Sequence, residues 1–254
     1  MSPSLAKQQI LIGGLPVSYY KTDTPGTQSV VFLHGWRSEG GVWQDIMQNL
    51  DAPSYALDMP GFGQSATPPQ PFTVSGYADV VAAFIKKLEL QNVCLVGHSF
   101  GGRVGIKLAA EHPEIVQKLV LVDAAGFRDD SAGLKLKKSA ARAVKPLFKL
   151  PGLKQLRPKI YKMIGAEDYT ATPQLRETFV NLINEDLSPY LSKISQPTLI
   201  IWGGQDKVTP LDFARRMQGA IRASELTILK GAGHFSFLDQ PQQFADALKT
   251  FLSL

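Results

Sequence analysis

Apolar positions along the chain fall into two alternating rhythms: short unbroken runs, and longer stretches with helical spacing. QQILI and LPVSYYKT, within 8–22, flank Gly13-Gly14 and read as a hairpin. SVVFLHG at 29–35 is a short β-branched and apolar run ending in glycine, suited to a strand buried on both faces. VWQDIMQNL at 42–50 has helical spacing, and SYALDMPGFG at 54–63 reads as a strand ending in a Gly/Pro turn. Residues 75–88 place Tyr77, Val81, Phe84, Ile85 and Leu88 along one helical side. NVCLVGHS at 92–99 is a strand, GGRVGIKLAAEHP at 101–113 a helix stopped near Pro113, and VQKLVLVDA at 116–124 a strand. PTLIIWGG at 197–204, a helix at about 210–219, ELTILKG at 225–231 and a helix at about 241–252 resume the alternation. Repeated strand–helix units predict an α/β fold, a mostly parallel central sheet with helices on both faces.

Residues 127–190 break that rhythm. The stretch looks helical in pieces, broken by Pro146, Pro151, Pro158 and Pro173, and resumes at ETFVNLI. It is too long for an ordinary connection between core strands and reads as an inserted helical cap. The division expected is therefore core at 1–126, cap at 127–190 and core again at 191–254. The cap's leucines, Phe148, Tyr161 and Met163 need an apolar surface, and the carboxyl edge of the sheet, where open α/β sheets bind ligands, is the natural one. There is no internal repeat and no low-complexity tail.

Composition narrows the function. With 44% hydrophobic and 19% charged residues the chain is globular rather than disordered. Cys94 is the only cysteine, which excludes an intramolecular disulfide framework and a Cys-rich metal site, and four histidines leave little for a histidine-based one. No segment approaches the run of about 18 apolar residues that a membrane-spanning helix requires. The opening MSPSLAKQQILIGG has too short an apolar run for a signal peptide, so the cytoplasm is the expected location. The net charge of +5 is concentrated: Arg128–Gly165 holds eleven Lys or Arg against Asp129 and Asp130. A solvated helical face is the simplest account of this basic segment. Steering of anionic substrates, or peripheral contact with an acidic membrane surface, is the second. Nucleic acid is not an expected partner, because no binding module accompanies the charge.

The chemistry gathers at strand ends. Gly97-His98-Ser99-Phe100-Gly101 matches G-x-S-x-G between a buried strand and an apolar helix, a junction that pushes a serine hydroxyl out over the sheet edge. A serine capping that helix is the plainer reading. A serine hydroxyl needs a base, and His234, in the glycine-rich loop LKGAGHFSFLDQP, is the candidate; a loop histidine bonded to backbone is its plainer reading. His112 reads as a helix-end residue, His98 as a packing or hydrogen-bonding neighbour and His34 as a loop brace. The acid that would orient His234 is Asp206 in WGGQDKVTP, with Asp123 at the neighbouring strand end as its rival. The order Ser99, Asp206, His234 is the one expected for such a fold. Backbone amides for an oxyanion should come from Phe100, after the serine, and Trp36, in the loop after VVFLHG.

VVFLHGW, ALDMPGFGQS, LVGHSFGG, IIWGGQDKVTP and GAGHF, in this order, resemble the α/β-hydrolase superfamily over nearly the whole chain. The resemblance implies the α/β-hydrolase fold with its lid at 127–190, nucleophile Ser99, acid Asp206, base His234 and oxyanion amides at Trp36 and Phe100. It implies no cofactor and no metal. Serine at position 99 argues against the members whose nucleophile is aspartate. The GHSFGG version looks like small esterases and like meta-cleavage-product hydrolases, which cut carbon–carbon bonds in dienoic acids. A carboxylic ester of a small or medium apolar substrate is the leading expectation. Carbon–carbon cleavage is the alternative within enzymes, and a ligand receptor or scaffold with residual hydrolysis is the alternative outside them. Phe127 and Phe235 are candidate pocket residues, with core packing as the equal alternative. Arg103 reads mainly as solvent-facing, and as a partner for a substrate carboxylate if it points inward. Sequence is silent on the oligomeric state.

Overall fold

The computed structural model describes residues 5–128 and 172–254. Strands β1 (Leu5–Ile12) and β2 (Leu15–Thr22) form the expected hairpin. Its turn places Gly13 and Gly14 at φ 56° and 82°, the pair of left-handed conformations that a two-residue hairpin loop demands. The chain continues through β3 (Val30–Leu33), a 3₁₀ turn leading into α1 (Gln44–Gln48), β4 (Ser54–Leu57), α2 (Val74–Lys87), β5 (Cys94–His98), α3 (Phe100–Glu111) and β6 (Lys118–Val122). The described chain resumes with α4 (Arg176–Asn184), α5 (Ser188–Leu191), β7 (Thr198–Gly203), α6 (Leu211–Ala220), β8 (Ser224–Leu229), α7 (Ser236–Asp239) and α8 (Pro241–Leu252).

The described strands make one eight-stranded sheet in the order β1-β2-β4-β3-β5-β6-β7-β8. β1 and β2 are antiparallel to each other, and β2 to β4; every other pairing is parallel. The register sets Leu33 beside Gly97, Val122 beside His98 and Gly203 beside Leu229. The carboxyl ends of β3, β5, β6, β7 and β8 therefore open onto one edge.

Side-chain alternation sorts the strands' apolar residues onto two faces. On one face Val30, Phe32, Cys94, Val96, Val120, Val122 and Ile201 pack with Trp43, Ile46 and Met47 of the α1 region and Phe244, Leu248 and Leu252 of α8. α2, α3 and α6 bury the other face, where Ile106 of α3 and Met217 of α6 close around Gly126. Helix α2 begins as expected for its sequence: the Thr73 hydroxyl accepts the Gly76 N–H (3.1 Å) at the N-cap, and Lys86 and Lys87 sit in the last turn.

One local reading is refined and another changes. The strand expected to end in a Gly/Pro turn within 54–63 runs over Ser54–Leu57, and the turn that follows is organised by the buried Asp58 carboxylate. It accepts the Gly40 and Gln64 N–H groups (2.8 Å each) and pairs with Lys7 (3.1 Å), turning the chain instead of extending it. The loop around His234 also contains a helical turn, α7, that the sequence reading treated as irregular.

The chain divides into two compact units, Met1–Phe127 with Asp186–Leu254, and Arg128–Glu185. Within the second, the described part is a 3₁₀ turn at Pro173–Leu175 continuing into α4. Pro146, Pro151 and Pro158, the apolar residues Phe148, Tyr161 and Met163, and all of the basic segment after Arg128 lie outside the described residues.

Candidate active site

Ser99 sits between β5 and α3 at φ 51°, ψ −109°, a conformation that costs a non-glycine residue roughly 1–3 kcal/mol. Its backbone is tied on both sides. The Ser99 N–H donates to the Val122 carbonyl (3.0 Å), and the Ser99 carbonyl accepts from Arg103 N–H (3.2 Å) and Ala125 N–H (3.0 Å). Glycines make the turn sterically feasible. A Cβ on Gly97 would run into the backbone of Gly101, and one on Gly101 into the Leu33 carbonyl. The serine side chain does not cap α3, so the plainer reading of the motif fails.

His234, in the loop from β8 to α7, places Nε2 3.0 Å from Ser99 Oγ. Its Nδ1 lies 2.8 Å from Asp206 Oδ2, in the loop after β7. Asp206 Oδ1 accepts the Val208 and Thr209 N–H groups (2.7 and 3.0 Å). A carboxylate loaded this way accepts the imidazole proton at Nδ1, which leaves the Nε2 lone pair aimed at the serine hydroxyl. Burial alone would raise the Asp206 pKa, but hydrogen bonds from His234 and Thr209 outweigh it and hold the carboxyl below its ordinary value.

Thr209 is a residue the sequence reading missed. Its hydroxyl is buried 2.7 Å from Asp206 Oδ2, 3.0 Å from the Asp123 carbonyl and 3.2 Å from His234 Nδ1. It can donate to the carboxylate while accepting a share of the imidazole proton. The Asp-x-x-Thr spacing in QDKVTP, typical of an aspartate closing on its own backbone, is the signal that points to it. Thr209→Val keeps the shape and the Thr209 N–H bond but removes the hydroxyl. We expect kcat/KM on p-nitrophenyl esters to drop about tenfold with KM little changed, the scale of one hydrogen bond to a charged group.

The rival acid goes elsewhere. Asp123 Oδ1 accepts the Gly203 N–H (2.7 Å), while Oδ2 accepts the N–H and hydroxyl of Ser236 (3.1 and 2.6 Å). His98 Nε2–H donates to the His234 carbonyl (2.7 Å), and its ring packs against those of His234 and Phe235. His34 donates from Nδ1 to the Gly35 carbonyl (2.7 Å) and accepts the Met59 N–H at Nε2 (2.9 Å), bracing the loop after β3. His112 ends α3, 3.7 Å from both Asp79 and Glu114 carboxylates.

These buried groups predict how stability depends on pH. Burial lowers the pKa of His34 to about 4, and burial with the neighbouring His234 lowers that of His98 to about 3. Burial, aided by Asp206, raises Asp123 to about 7 against the opposing bonds from Ser236 and Gly203. Between about pH 4 and 6.5 the unfolded chain thus gains two protons, on His34 and His98, while the folded chain holds one, on Asp123. The unfolded state binds the excess, so stability falls as pH drops through this window, by about 1.4 kcal/mol per pH unit for one proton. In Asp123→Asn the folded-state proton disappears and the slope roughly doubles. Urea midpoints of both proteins across the window check this.

Phe100 opens α3, and its N–H has no acceptor among the described residues, whereas the next amide, Gly101 N–H, goes to the His34 carbonyl (3.1 Å). Trp36 lies in the braced loop after β3. Its ring meets Phe62 and Phe100 edge-on at 4.8 and 5.5 Å, and Tyr77 meets Phe100 at 4.9 Å. Trp36 and Phe100 are thus held against each other within one rigid aromatic group. Phe235 is 42% exposed beside His234. Phe127 is buried beneath the Arg216 guanidinium (3.8 Å) and against Phe213, so its packing partner is α6. Arg103 is buried, which corrects its reading as solvent-facing: α3 is buried on all sides, every residue from Phe100 to Ala109 being covered.

Among the described residues, no group of three or more His, Cys, Asp or Glu is placed to hold a metal ion, and no helix is long and apolar enough to cross a membrane. Against known proteins, the chain is 28% identical over 260 residues to the AB hydrolase superfamily protein YisY of Bacillus subtilis, covering 92% of this chain and 95% of that one. It is 26% identical over 271 residues to a 2-hydroxy-6-oxononadienedioate/2-hydroxy-6-oxononatrienedioate hydrolase of Paraburkholderia phymatum, covering 96% and 93%. An esterase from Exiguobacterium antarcticum has the same fold, with a TM-score of 0.77 at 24% identity over 98% of this chain and all (100%) of that one. Residues 30–247 match the model of the Alpha/beta hydrolase family, and with the sheet order and the strand-to-helix turn at Ser99 already in place, the chain belongs to that family.

Proposed function

We propose that the protein is a serine hydrolase that cleaves a carboxylic ester of a small or medium apolar substrate through an acyl-enzyme intermediate. The observation that carries this reading is the continuous chain of contacts from Ser99 Oγ through His234 to Asp206, at 3.0 and 2.8 Å.

The mechanism follows from which atoms can give and take protons. Ser99 Oγ attacks the substrate carbonyl carbon as its proton passes to His234 Nε2. The Asp206 carboxylate stabilises the imidazolium that forms. The carbonyl π electrons move onto oxygen, where the Phe100 amide and, in this assignment, the Trp36 amide receive the negative charge. When the tetrahedral intermediate collapses, the alcohol departs with the proton held on Nε2 and leaves an ester on Ser99. Water repeats the sequence: it gives its proton to His234, attacks the acyl carbon and releases the acid, and Ser99 recovers its proton. A half-exposed Phe235 beside the base suits an apolar group next to the scissile bond.

Cleavage of a carbon–carbon bond in a dienoic acid is the second reading, favoured by the similarity to the Paraburkholderia hydrolase across nearly the whole chain. Steady-state hydrolysis of p-nitrophenyl esters from acetate to palmitate, run beside loss of a dienoate chromophore, separates the two. Repeated ester turnover with a chain-length optimum supports the ester reading and sizes the acyl site. Chromophore loss with poor ester turnover replaces it with the second. A single slow acylation without turnover would instead point to a ligand-retaining receptor.

A further inference from the structure

Asp123 is fully buried at the end of β6, in a left-handed backbone conformation (φ 44°), between β5, which leads into Ser99, and β7, whose following loop carries Asp206. No step of the proposed mechanism uses it. Yet its two oxygens reach into the loops that carry Asp206 and His234. Oδ1 takes Gly203 N–H, at the end of β7 and three residues before Asp206. Oδ2 takes both donors of Ser236, the first residue of α7 and two residues after His234. The Thr209 hydroxyl, whose one proton goes to the Asp206 carboxylate, also lies 3.0 Å from the Asp123 carbonyl.

The two loops approach each other closely at this point. A Cβ on Gly203 would run into the carbonyls of Ala232 and Gly233, and Gln205 N–H already donates to the Ala232 carbonyl (2.8 Å). Upstream of Ser236 the histidine is held by its own carbonyl, on His98, and by Gly233 N–H, on Asp239 (2.7 Å). Downstream, the bonds from Ser236 to Asp123 anchor it.

We propose that Asp123 is a positioning residue for His234: one buried carboxylate clamps the end of β7 to the start of α7, fixing the spacing between the acid and the base. This rests on the assignment of His234 as the base. Gly203 N–H and Ser236 N–H are obligate donors on opposite oxygens. An asparagine at 123 must turn its own N–H₂ toward one of them, so one arm of the clamp breaks while the side-chain volume stays the same.

The test compares wild type, Ser99→Ala, Asp123→Asn, Ser236→Ala and the Asp123→Asn/Ser236→Ala double variant. Labelling by a fluorophosphonate reads the reactivity of Ser99 without knowledge of the substrate, and imidazole ¹⁵N shifts read the tautomer of His234. Expected results are labelling slowed about tenfold or more in Asp123→Asn and about threefold in Ser236→Ala, with the double variant no slower than Asp123→Asn, as for residues acting through one contact. His234 should change from a single Nδ1–H form to a mixture in Asp123→Asn. Labelling within about twofold of wild type together with an unchanged tautomer overturns the proposal. Should Asp123→Asn not fold, Ser236→Ala decides alone: slower labelling at an unchanged urea midpoint supports the clamp, and wild-type labelling overturns it. A wild type labelled no faster than Ser99→Ala refutes the serine-hydrolase reading instead, and the His234 tautomer then decides the clamp by itself.

Discussion

Ser99→Ala is expected to lower ester turnover by about 10⁴-fold or more while leaving the fold intact. The substitution removes only the oxygen that His234 Nε2 faces at 3.0 Å. Alanine has the same Cβ, so it inherits the same strained φ of 51°, and the ties to Val122, Arg103 and Ala125 are backbone bonds that do not depend on the side chain. Under the proposed mechanism, any activity that remains comes from the Phe100 and Trp36 amides and from binding, acting on water. The measurement is p-nitrophenol release under single-turnover and steady-state conditions, with thermal unfolding as the control for folding. Retention of more than about 1% of wild-type activity would sink the assignment of Ser99 as nucleophile.

Asp206→Asn is expected to cost about 10⁴-fold in kcat, although it changes one atom. The position of the loss follows from the hydrogen bonds. Val208 N–H and Thr209 N–H both point at Oδ1, so the amide oxygen of an asparagine must occupy that site. Its N–H₂ then faces His234 Nδ1, where the carboxylate oxygen stood at 2.8 Å. A donor there demands a bare Nδ1, which moves the imidazole proton to Nε2. A protonated Nε2 cannot take the serine proton. The result is checked by kcat together with the ¹⁵N tautomer of His234, which should switch from Nδ1–H to Nε2–H. A loss smaller than about tenfold would mean that another carboxylate, Asp123 first among them, orients the base.

The two largest expected effects fall on residues that were legible in the sequence, and the reason is local. A short β-branched run, a glycine on either side of a serine and an apolar helix are all written within 92–113, and they constrain the turn through contacts between near neighbours. His234 and Asp206 each follow a strand end, and parallel pairing places all such ends on one edge. Chain order and strand position were therefore enough to nominate them.

Other features depend on which distant residue arrives beside which. The Asp123 carboxylate meets partners 80 and 113 positions away, and His98 meets the His234 carbonyl 136 positions away. No local spacing encodes such a distance. Sequence could place Asp123 at a strand end and offer it as a rival acid, but only the packed loops show that its oxygens are committed to Gly203 and Ser236. Thr209 joined the site for the same reason, as did the burial of Arg103. The sequence by itself determined the strand–helix alternation, the strained serine turn and the order of Ser99, Asp206 and His234, because sterics and hydrophobic periodicity act between near neighbours. The tertiary structure alone decided which acid faces His234, which groups hold that acid and base in place, and which of them are neutral, because hydrogen-bond partners and burial exist only once distant loops have met.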